Sequence, residues 1–334
     1  MINRNSILLV GGAGYIGSKI AHDLLDQNFK VYIYDNLSSG YKVLIPKKAT
    51  FILGDILDYQ KLNNIIKKFN IKNVMHLAAA LDVFESQKNP KKYYINNVIG
   101  TLNLIKACNN NFVRNFIFSS TCAVYGDNAF EKSISEKSKI FPKSHYGKSK
   151  LICEDLIKKY SKVAGLRYAI LRYFNVIGVD LLFRTGNLKN NDQLFNNILN
   201  NISNKKFAVN VYGYDYDTKD GTAIRDYISV TDISKIHIES IKKLQNKKTS
   251  FVVNCGYGKG YSVLEVIKSF EKAINRKIKI NYKKRREGDV TYAVSNTKFF
   301  NHIFNNLKLK SDLISQIKNT ITWKKKFKQN IYEI

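Results

Sequence analysis

At residues 145–150 the chain reads HYGKSK, which sets Tyr146 and Lys150 four positions apart. In a helix that spacing puts two side chains on one face, one turn from each other. A free phenol ionises near pH ~10 and is a poor base at neutrality, but a neighbouring ammonium favours its phenolate form. Such a couple can take the proton of an alcohol while hydride leaves the carbon that bears it. The segment SHYGKSKLICEDLIKKYSK has helical period, so the geometry is available. A Tyr and a Lys one turn apart are also ordinary helix surface. The chemical reading therefore needs a hydride acceptor and a further hydroxyl to orient the alcohol.

Both are present. The apolar run SILLV leads directly into GGAGYIGSKIAHDLL, where Gly11, Gly14 and Gly17 are spaced three apart. Glycines at a strand-to-helix turn permit the tight bend, the approach of a pyrophosphate to backbone N–H groups and close helix–strand packing. The next apolar run, VYIYD, ends in Asp35, placed for the ribose hydroxyls of a dinucleotide. A carboxylate there repels a 2′-phosphate, which favours NAD over NADP. Asp55 closes FILGD at the carboxyl end of a further strand, where ligands gather in such sheets; a plain surface turn would look the same. The run RNFIFSS ends in Ser119 and Ser120 and is followed by Thr121, so a hydroxyl at that strand end faces the cofactor side.

The elements that must hold these residues follow from the hydrophobic pattern. SILLV, VYIYD, ATFILGD, NVMHLA, RNFIFSS and RYAILRYFN read as buried strands, and SKIAHDLLDQ and YQKLNNIIKKF between them as amphipathic helices. The fold class is α/β, a Rossmann-type doubly wound parallel sheet with a smaller C-terminal α/β substrate domain. The boundaries are residues 1–174 for the NAD-binding domain and 175–334 for the second domain, with a segment near 226–246 returning to the first. FVVNCG and KIKINY read as short strands, and DISKIHIESIKKL and SVLEVIKSFEKAI as amphipathic helices.

Composition narrows the class. The chain has 334 residues, 44% hydrophobic and 12% aromatic, with a formal net charge of +29. The lysines are spread along the chain and not gathered into one basic stripe, so nucleic acid is not an expected partner. No apolar run is long enough to cross a bilayer, and no membrane partner is expected. The N-terminal MINRNSILLVGGAGYIGS mimics a signal peptide, but its regular glycines and the helix that follows read as mature protein. Cys108, Cys122, Cys153 and Cys255 are scattered, with no metal-ligand spacing, so no metal and no disulfide is expected and a reducing cytoplasm fits.

With these motifs assembled, the sequence resembles the extended short-chain dehydrogenases, and within them the UDP-glucose (UDP-galactose) 4-epimerase family. The resemblance spans the chain: GGAGYIGS at 11–18, DNLSSG at 35–40, HLAA at 76–79, NNVIGTLNLI at 96–105, FSST and VYG within 118–126, YGKSK at 146–150, LRYFN at 171–175, YGYDYDTKDGTAIRDYISVTDI at 212–233 and RREGD at 285–289. It implies a homodimer that holds NAD and shuttles hydride to and from carbon 4 of a UDP-sugar. Tyr146 would be the acid–base group, Lys150 would support its phenolate and hold the nicotinamide ribose, and Thr121 would bond the 4-oxygen. The cofactor would be lined by Gly11, Gly14, Tyr15, Ile16, Gly17, Asp35, Asn36, Asp55, Ile56, Leu77, Ala78, Ala79, Asn97, Ser119 and Tyr173, together with Tyr146 and Lys150. The substrate would meet Thr121, Asn175, Gln193, Leu194, Tyr212, Arg225, Arg286, Asp289 and Ala293. Two arginines also suit a diphosphate on their own chemistry, since guanidinium matches phosphate bidentately, though each fits a surface ion pair as well.

Several positions depart from the family pattern. Val10 replaces a Thr before the first glycine, Ser229 replaces a His, Asn196 a Pro, and Gln193 an Asn that meets uridine in some members. Leu81 stands where a Lys often helps hold the cofactor, so NAD is expected to be held less tightly. Ala293 is small and leaves room for an N-acetyl group, which extends the expected substrates to UDP-N-acetylhexosamines. The related dehydratases need an Asp-Glu pair after the Thr, and here Cys122 and Ala123 follow it. Two alternatives stay open: a 4-epimerase of UDP-uronic acids or UDP-pentoses, and a NAD-binding regulatory protein without catalysis. The dimer would form through helices near 90–108 and 146–164.

Overall fold

The computed structural model describes residues 5–127, 133–189, 193–204, 206–246, 249–310 and 312–331. In chain order the first elements are β1 (Ser6–Val10), α1 (Tyr15–Asp26), β2 (Lys30–Asp35), β3 (Thr50–Leu53), α2 (Tyr59–Lys68) and β4 (Asn73–His76). Two short helices follow, α3 (Val83–Lys88) and α4 (Pro90–Tyr93), then a π-helical turn at Tyr94–Ile99, α5 (Gly100–Asn110), β5 (Asn115–Thr121), α6 (His145–Ala164) and β6 (Arg167–Tyr173). The second half contains β7 (Asn175–Ile177), α7 (Leu194–Ser203), β8 (Ala208–Tyr212), β9 (Ile224–Ser229), α8 (Val230–Asn246) and β10 (Phe251–Cys255). It ends with β11 (Gly260–Ser262), α9 (Val263–Ile274), β12 (Lys279–Lys283), β13 (Tyr292–Ala293), α10 (Lys298–Ile303) and α11 (Leu313–Ile331).

Seven strands make one sheet in the order β10-β6-β5-β4-β1-β2-β3, every pair parallel. The apolar runs are continuous because both faces are covered, and the period of two decides which residue goes where. Ile7, Leu9, Val31, Ile33 and Ile117 face α1 and α8, while Leu8, Val10, Tyr32, Tyr34 and Phe116 face α2, α5 and α6. The chain leaves β1 toward β2 and β3, then returns past β1 to β4, β5 and β6. That reversal opens a crevice between the carboxyl ends of β1 and β4, where such sheets bind ligands.

The second half gives more to this sheet than the one segment read near 226–246. Residues 226–229 lie in β9, which belongs elsewhere, whereas α8 packs on the sheet with α1. β10 extends the sheet beyond β6, with Val253 opposite Leu171, and Phe300 of α10 and Phe304 just after it join the same core. A smaller mixed sheet is centred on β9, with β7 and β13 parallel to it and β11 antiparallel. β8 and β12 pair in parallel beside it, over a core that includes Phe195, Val266 and Phe270. Among the described residues no helix is long and apolar enough to cross a membrane.

Candidate active site

Ser144 starts α6 by accepting a hydrogen bond from the Gly147 N–H at 3.1 Å. A Cβ on Gly147 would lie 2.6 Å from the Ala123 carbonyl oxygen, so the glycine lets α6 lie directly against the turn after β5. That approach brings Tyr146 to Thr121. Both are nearly closed off, 8% and 9% exposed, and Thr121 is close enough to act on the Tyr146 phenol. Thr121 Oγ1 accepts the Ala123 N–H at 3.1 Å and keeps its own hydrogen to donate, to the Tyr146 phenol or to an oxygen bound beside it.

One turn along α6, Lys150 is 2% exposed. Its ammonium donates to the Ser119 carbonyl at 2.8 Å and lies 4.6 Å from the centre of the Phe118 ring. Burial lowers its pKa to about 8, against smaller opposing effects of Cys153 and Glu154. The sequence reading expected Lys150 to draw Tyr146 toward neutrality. In the folded chain burial dominates instead and pushes the Tyr146 phenol above its ordinary range, opposed by the Thr121 hydrogen bond. The reason is geometric: the ammonium is aimed at a carbonyl of β5 and not at the phenol.

A buried network sits beneath. Ser120 donates to Glu154 at 2.6 Å, and Arg172 grips the same carboxylate at 2.9 and 2.6 Å while donating to the Tyr125 hydroxyl at 2.7 Å. Ser119 Oγ is 2.8 Å from the Tyr173 hydroxyl, which is 2.7 Å from His237 Nε2. Asn97 lies in the π-helical turn, a distortion often found at functional sites. Its carboxamide holds Ala80 N–H at 2.8 Å and Ser149 Oγ at 3.0 Å, clamping the loop after β4 to α6.

The glycine turn shows what it is shaped for. At Gly11 a Cβ would meet Ala78 N at 2.4 Å, and at Gly17 it would meet Gly11 O at 2.4 Å, so these two serve the packing of β1, α1 and the loop after β4. A Cβ on Gly14 would meet nothing closer than 3.5 Å. Gly14, the residue just before α1, has no side chain to cap the N–H groups of Tyr15 and Ile16, and no side-chain cap is found among the described residues. An unfilled approach to bare helix-start amides fits a pyrophosphate. The Tyr15 and Ile16 side chains are used by the fold: Tyr15 donates to Gly178 O at 2.6 Å, and Ile16 joins the α1 core. Asp35 accepts from Ala13 N at 2.9 Å and Leu37 N at 2.8 Å, so it shapes the turn and keeps lone pairs for ribose hydroxyls. Asn36 donates to Asp55 at 2.8 Å, and Ile56 lies beside them against Gly100. Leu77 and Ala78 hang their N–H groups on Val10 O, with Ala79 next in the same loop.

On the second sheet Arg225 and Ala293 are register partners. Arg225 donates to Val290 O at 2.7 Å and Ile224 O at 2.9 Å, so part of its guanidinium is taken by backbone. Arg286 lies 4.8 Å from the centre of the Tyr212 ring and pairs with Asp289 at 3.0 Å. Asn175 enters the same sheet opposite Tyr227. Gln193 and Leu194 stand at the start of α7, and among the described residues no hydrogen bond links them to these arginines. Of the departures, Ser229 accepts from Thr231 N–H at 3.1 Å and so caps α8, while Leu81 is 45% exposed ahead of α3.

Three participants went unread in the sequence. His237 sat in the apolar period of DISKIHIESIKKL, Glu154 fell one turn after Lys150, and Tyr216 lay inside YGYDYDTKDGT. Tyr216 has a buried hydroxyl without a partner among the described residues, and Asp289, Arg225, Arg285 and Arg286 all act on it.

A glycine turn at the strand reversal and a Tyr-x-x-x-Lys helix laid against a hydroxyl-bearing strand end define a short-chain dehydrogenase of the extended class. The sequence matches the NAD dependent epimerase/dehydratase family over residues 7–256, and the chain belongs to that family. It is 39% identical to the UDP-glucose 4-epimerase of Rhizobium meliloti (strain 1021), across 88% of this chain and 90% of that protein. A probable UDP-arabinose 4-epimerase 1 of Oryza sativa subsp. japonica is 38% identical, across 96% and 79%. Among solved structures, UDP-glucose 4-epimerase from Brucella ovis in complex with NAD superposes with a TM-score of 0.89 at 36% identity, across 94% of this chain and 97% of that one.

Proposed function

We propose that the chain is an isomerase that interconverts UDP-galactose and UDP-glucose through transient oxidation at carbon 4, with NAD as its cofactor. The observation that carries this reading is the Tyr146–Thr121 contact at the end of β5, with Lys150 buried one turn below. NAD, when bound, supplies the hydride acceptor and a positively charged nicotinamide ring. Tyr146 takes the proton of the sugar 4-hydroxyl, and Thr121 donates to the 4-oxygen with the hydrogen that Ala123 leaves free. For Tyr146 to act as that base, the positive charges of the bound nicotinamide and of Lys150 would have to offset the burial that raises its phenol in the ligand-free chain. The bound cofactor would take hydride from carbon 4 and return it to the other face of the turned 4-keto sugar, and Tyr146 would give the proton back. Cys122 and Ala123 bring no carboxyl group beside Thr121, which argues against elimination of water.

The β1–β6 sheet, with β10 and α8, would hold the cofactor, and the smaller sheets would hold UDP through Tyr212, Arg225, Arg286 and Asp289. Asn175, Gln193 and Leu194 would close the uracil side. Ala293 is buried and small, which supports acceptance of UDP-N-acetylhexosamines. A UDP-pentose reading draws support from the rice relative. The exposed Ile95, Ile99 and Ile152 on adjoining segments support a homodimer through α5 and α6, and free thiols at all four cysteines suit the cytoplasm.

The test follows UDP-galactose to UDP-glucose by proton NMR with no cofactor added, with Tyr146→Phe alongside. Conversion is expected to drop at least ~1,000-fold in the variant. A requirement for added NAD would fit Leu81. No conversion even with NAD would remove the hexose assignment, and no turnover of UDP-N-acetylglucosamine would remove the extension drawn from Ala293.

A further inference from the structure

His237 lies on α8, a helix that packs across β5 and β6, and its ring is fully buried. Its Nδ1 is 2.9 Å from Ile233 O and its Nε2 is 2.7 Å from the Tyr173 hydroxyl. A carbonyl oxygen only accepts, so Nδ1 carries the hydrogen. Burial lowers the His237 pKa to about 4, so at neutral pH the ring is uncharged and Nε2 presents only a lone pair. The Tyr173 hydroxyl must therefore donate to Nε2. Ser119 Oγ, 2.8 Å from the same phenol oxygen, must in turn donate to Tyr173. The backbone carbonyl of the same residue, Ser119, receives the Lys150 ammonium, so the hydrogen-bonded line from His237 ends at the residue that also anchors Lys150.

The polarity of that line has a consequence at its open end. Tyr173 has spent its only hydrogen inward and one lone pair on Ser119. What remains is one lone pair and no hydrogen. His237 is sealed at 0% exposure, whereas Tyr173 keeps 8% and lies near enough to Tyr146 for that phenol to raise its pKa.

We propose that His237 is a positioning residue that makes the Tyr173 oxygen a pure acceptor toward the nicotinamide pocket, where it takes an N–H of the carboxamide and fixes one orientation of the ring. The proposal rests on the cofactor reading above. A protonated or flipped histidine would reverse the line and turn the Tyr173 hydrogen outward. The carboxamide would then have to present its oxygen, and the ring would turn over.

The test compares dissociation constants of the cofactor-stripped protein for NAD and for its 3-acetylpyridine analogue, which keeps the carbonyl but has no N–H. Wild type is expected to favour NAD by roughly tenfold, the value of one hydrogen bond. His237→Phe frees the Tyr173 hydrogen to turn outward to the analogue's carbonyl, so the preference vanishes or reverses. His237→Leu repeats this with a smaller side chain if Phe fails to pack. His237→Gln offers an acceptor oxygen and keeps the preference. A roughly tenfold preference surviving in the apolar variants, or no preference in wild type, would overturn the proposal. Tyr173→Phe separates the two readings. Loss of preference there places Tyr173 at the carboxamide, and an unchanged preference shows instead that the cofactor reading has misplaced Tyr173.

Discussion

The two walls of the proposed site, the catalytic one and the nucleotide one, are built on opposite terms. On the catalytic wall Lys150, Ser119, Tyr173, His237, Glu154 and Arg172 are all buried, and each has a named hydrogen-bond partner. On the nucleotide wall the Arg285 and Arg286 side chains are 45% and 33% exposed, and the Tyr216 hydroxyl has no partner among the described residues. The difference follows from what each wall must do. A proton-transfer group works only if its surroundings are set before the substrate arrives, because reorganisation during the reaction raises the barrier. A diphosphate brings its own charge and needs cations that water has not been wholly removed from. One wall is finished by folding, the other by its ligand.

If that contrast is right, damage to the catalytic wall reads first as lost stability. Glu154→Ala leaves the Arg172 guanidinium buried without its carboxylate and Ser120 without its acceptor. A loss of about 3–5 kcal/mol is expected, seen as a fall in the urea midpoint. Glu154→Leu with Arg172→Met removes both charges and should lose much less. Equal losses in the single and double variants would mean that the ion pair is not what holds α6 to β5 and β6.

The next effect is a pH dependence. Lys150 falls from 10.5 in an unfolded chain to about 8 in the fold. Below pH 8 both states carry the proton, and the folded state bears the full penalty of a buried ammonium, about 3 kcal/mol. Between pH 8 and 10.5 the unfolded chain binds more protons, so stability rises with pH as that penalty is relieved. Lys150→Met removes the group. The stability gap between variant and wild type should be widest below pH 8 and close by about pH 10.5. A gap that does not change with pH would show an ammonium less desolvated than its surroundings imply. Nothing comparable is expected of Arg286→Ala, where the change should be a KM for UDP-galactose raised about tenfold with kcat nearly kept.

The placing of Tyr146, Lys150 and Thr121, the three residues proposed to do the chemistry, was legible because Tyr146 and Lys150 are four residues apart and Thr121 ends an apolar run, so local period and strand grammar place all three. The glycine turn and Asp35 were legible for the same reason, each lying at the end of a strand that its own residues define. What supports them was not. The contacts of Ser119 with Tyr173 and His237 join β5, β6 and α8, and no local pattern sets a buried histidine apart from a core one. Gly147 looks like a weak helix residue until Ala123 is seen against it. That burial raises the Tyr146 phenol in the ligand-free chain was not legible, because helical spacing gives the face a lysine occupies and not the atom its ammonium chooses. β10 was read as a strand, but its place beside β6 depends on a return of the chain that apolar runs do not encode.

Tyr216 offers the smallest effect and the sharpest comparison. A buried hydroxyl without a partner weakens the fold by about 1 kcal/mol relative to a ring that lacks it. On the catalytic wall, removing a hydroxyl from a finished network should only destabilise. On the nucleotide wall Tyr216→Phe should stabilise the ligand-free protein by about 1 kcal/mol, visible as a higher urea midpoint. The same change should raise KM for UDP-galactose several-fold, because the hydroxyl sits amid Arg225, Arg285, Arg286 and Asp289 where the diphosphate is proposed to bind. Opposite signs for stability and binding in one variant are what a wall completed by its ligand requires. If Tyr216→Phe loses stability and leaves KM unchanged, the hydroxyl is already satisfied in the free protein, and the two walls differ in exposure alone.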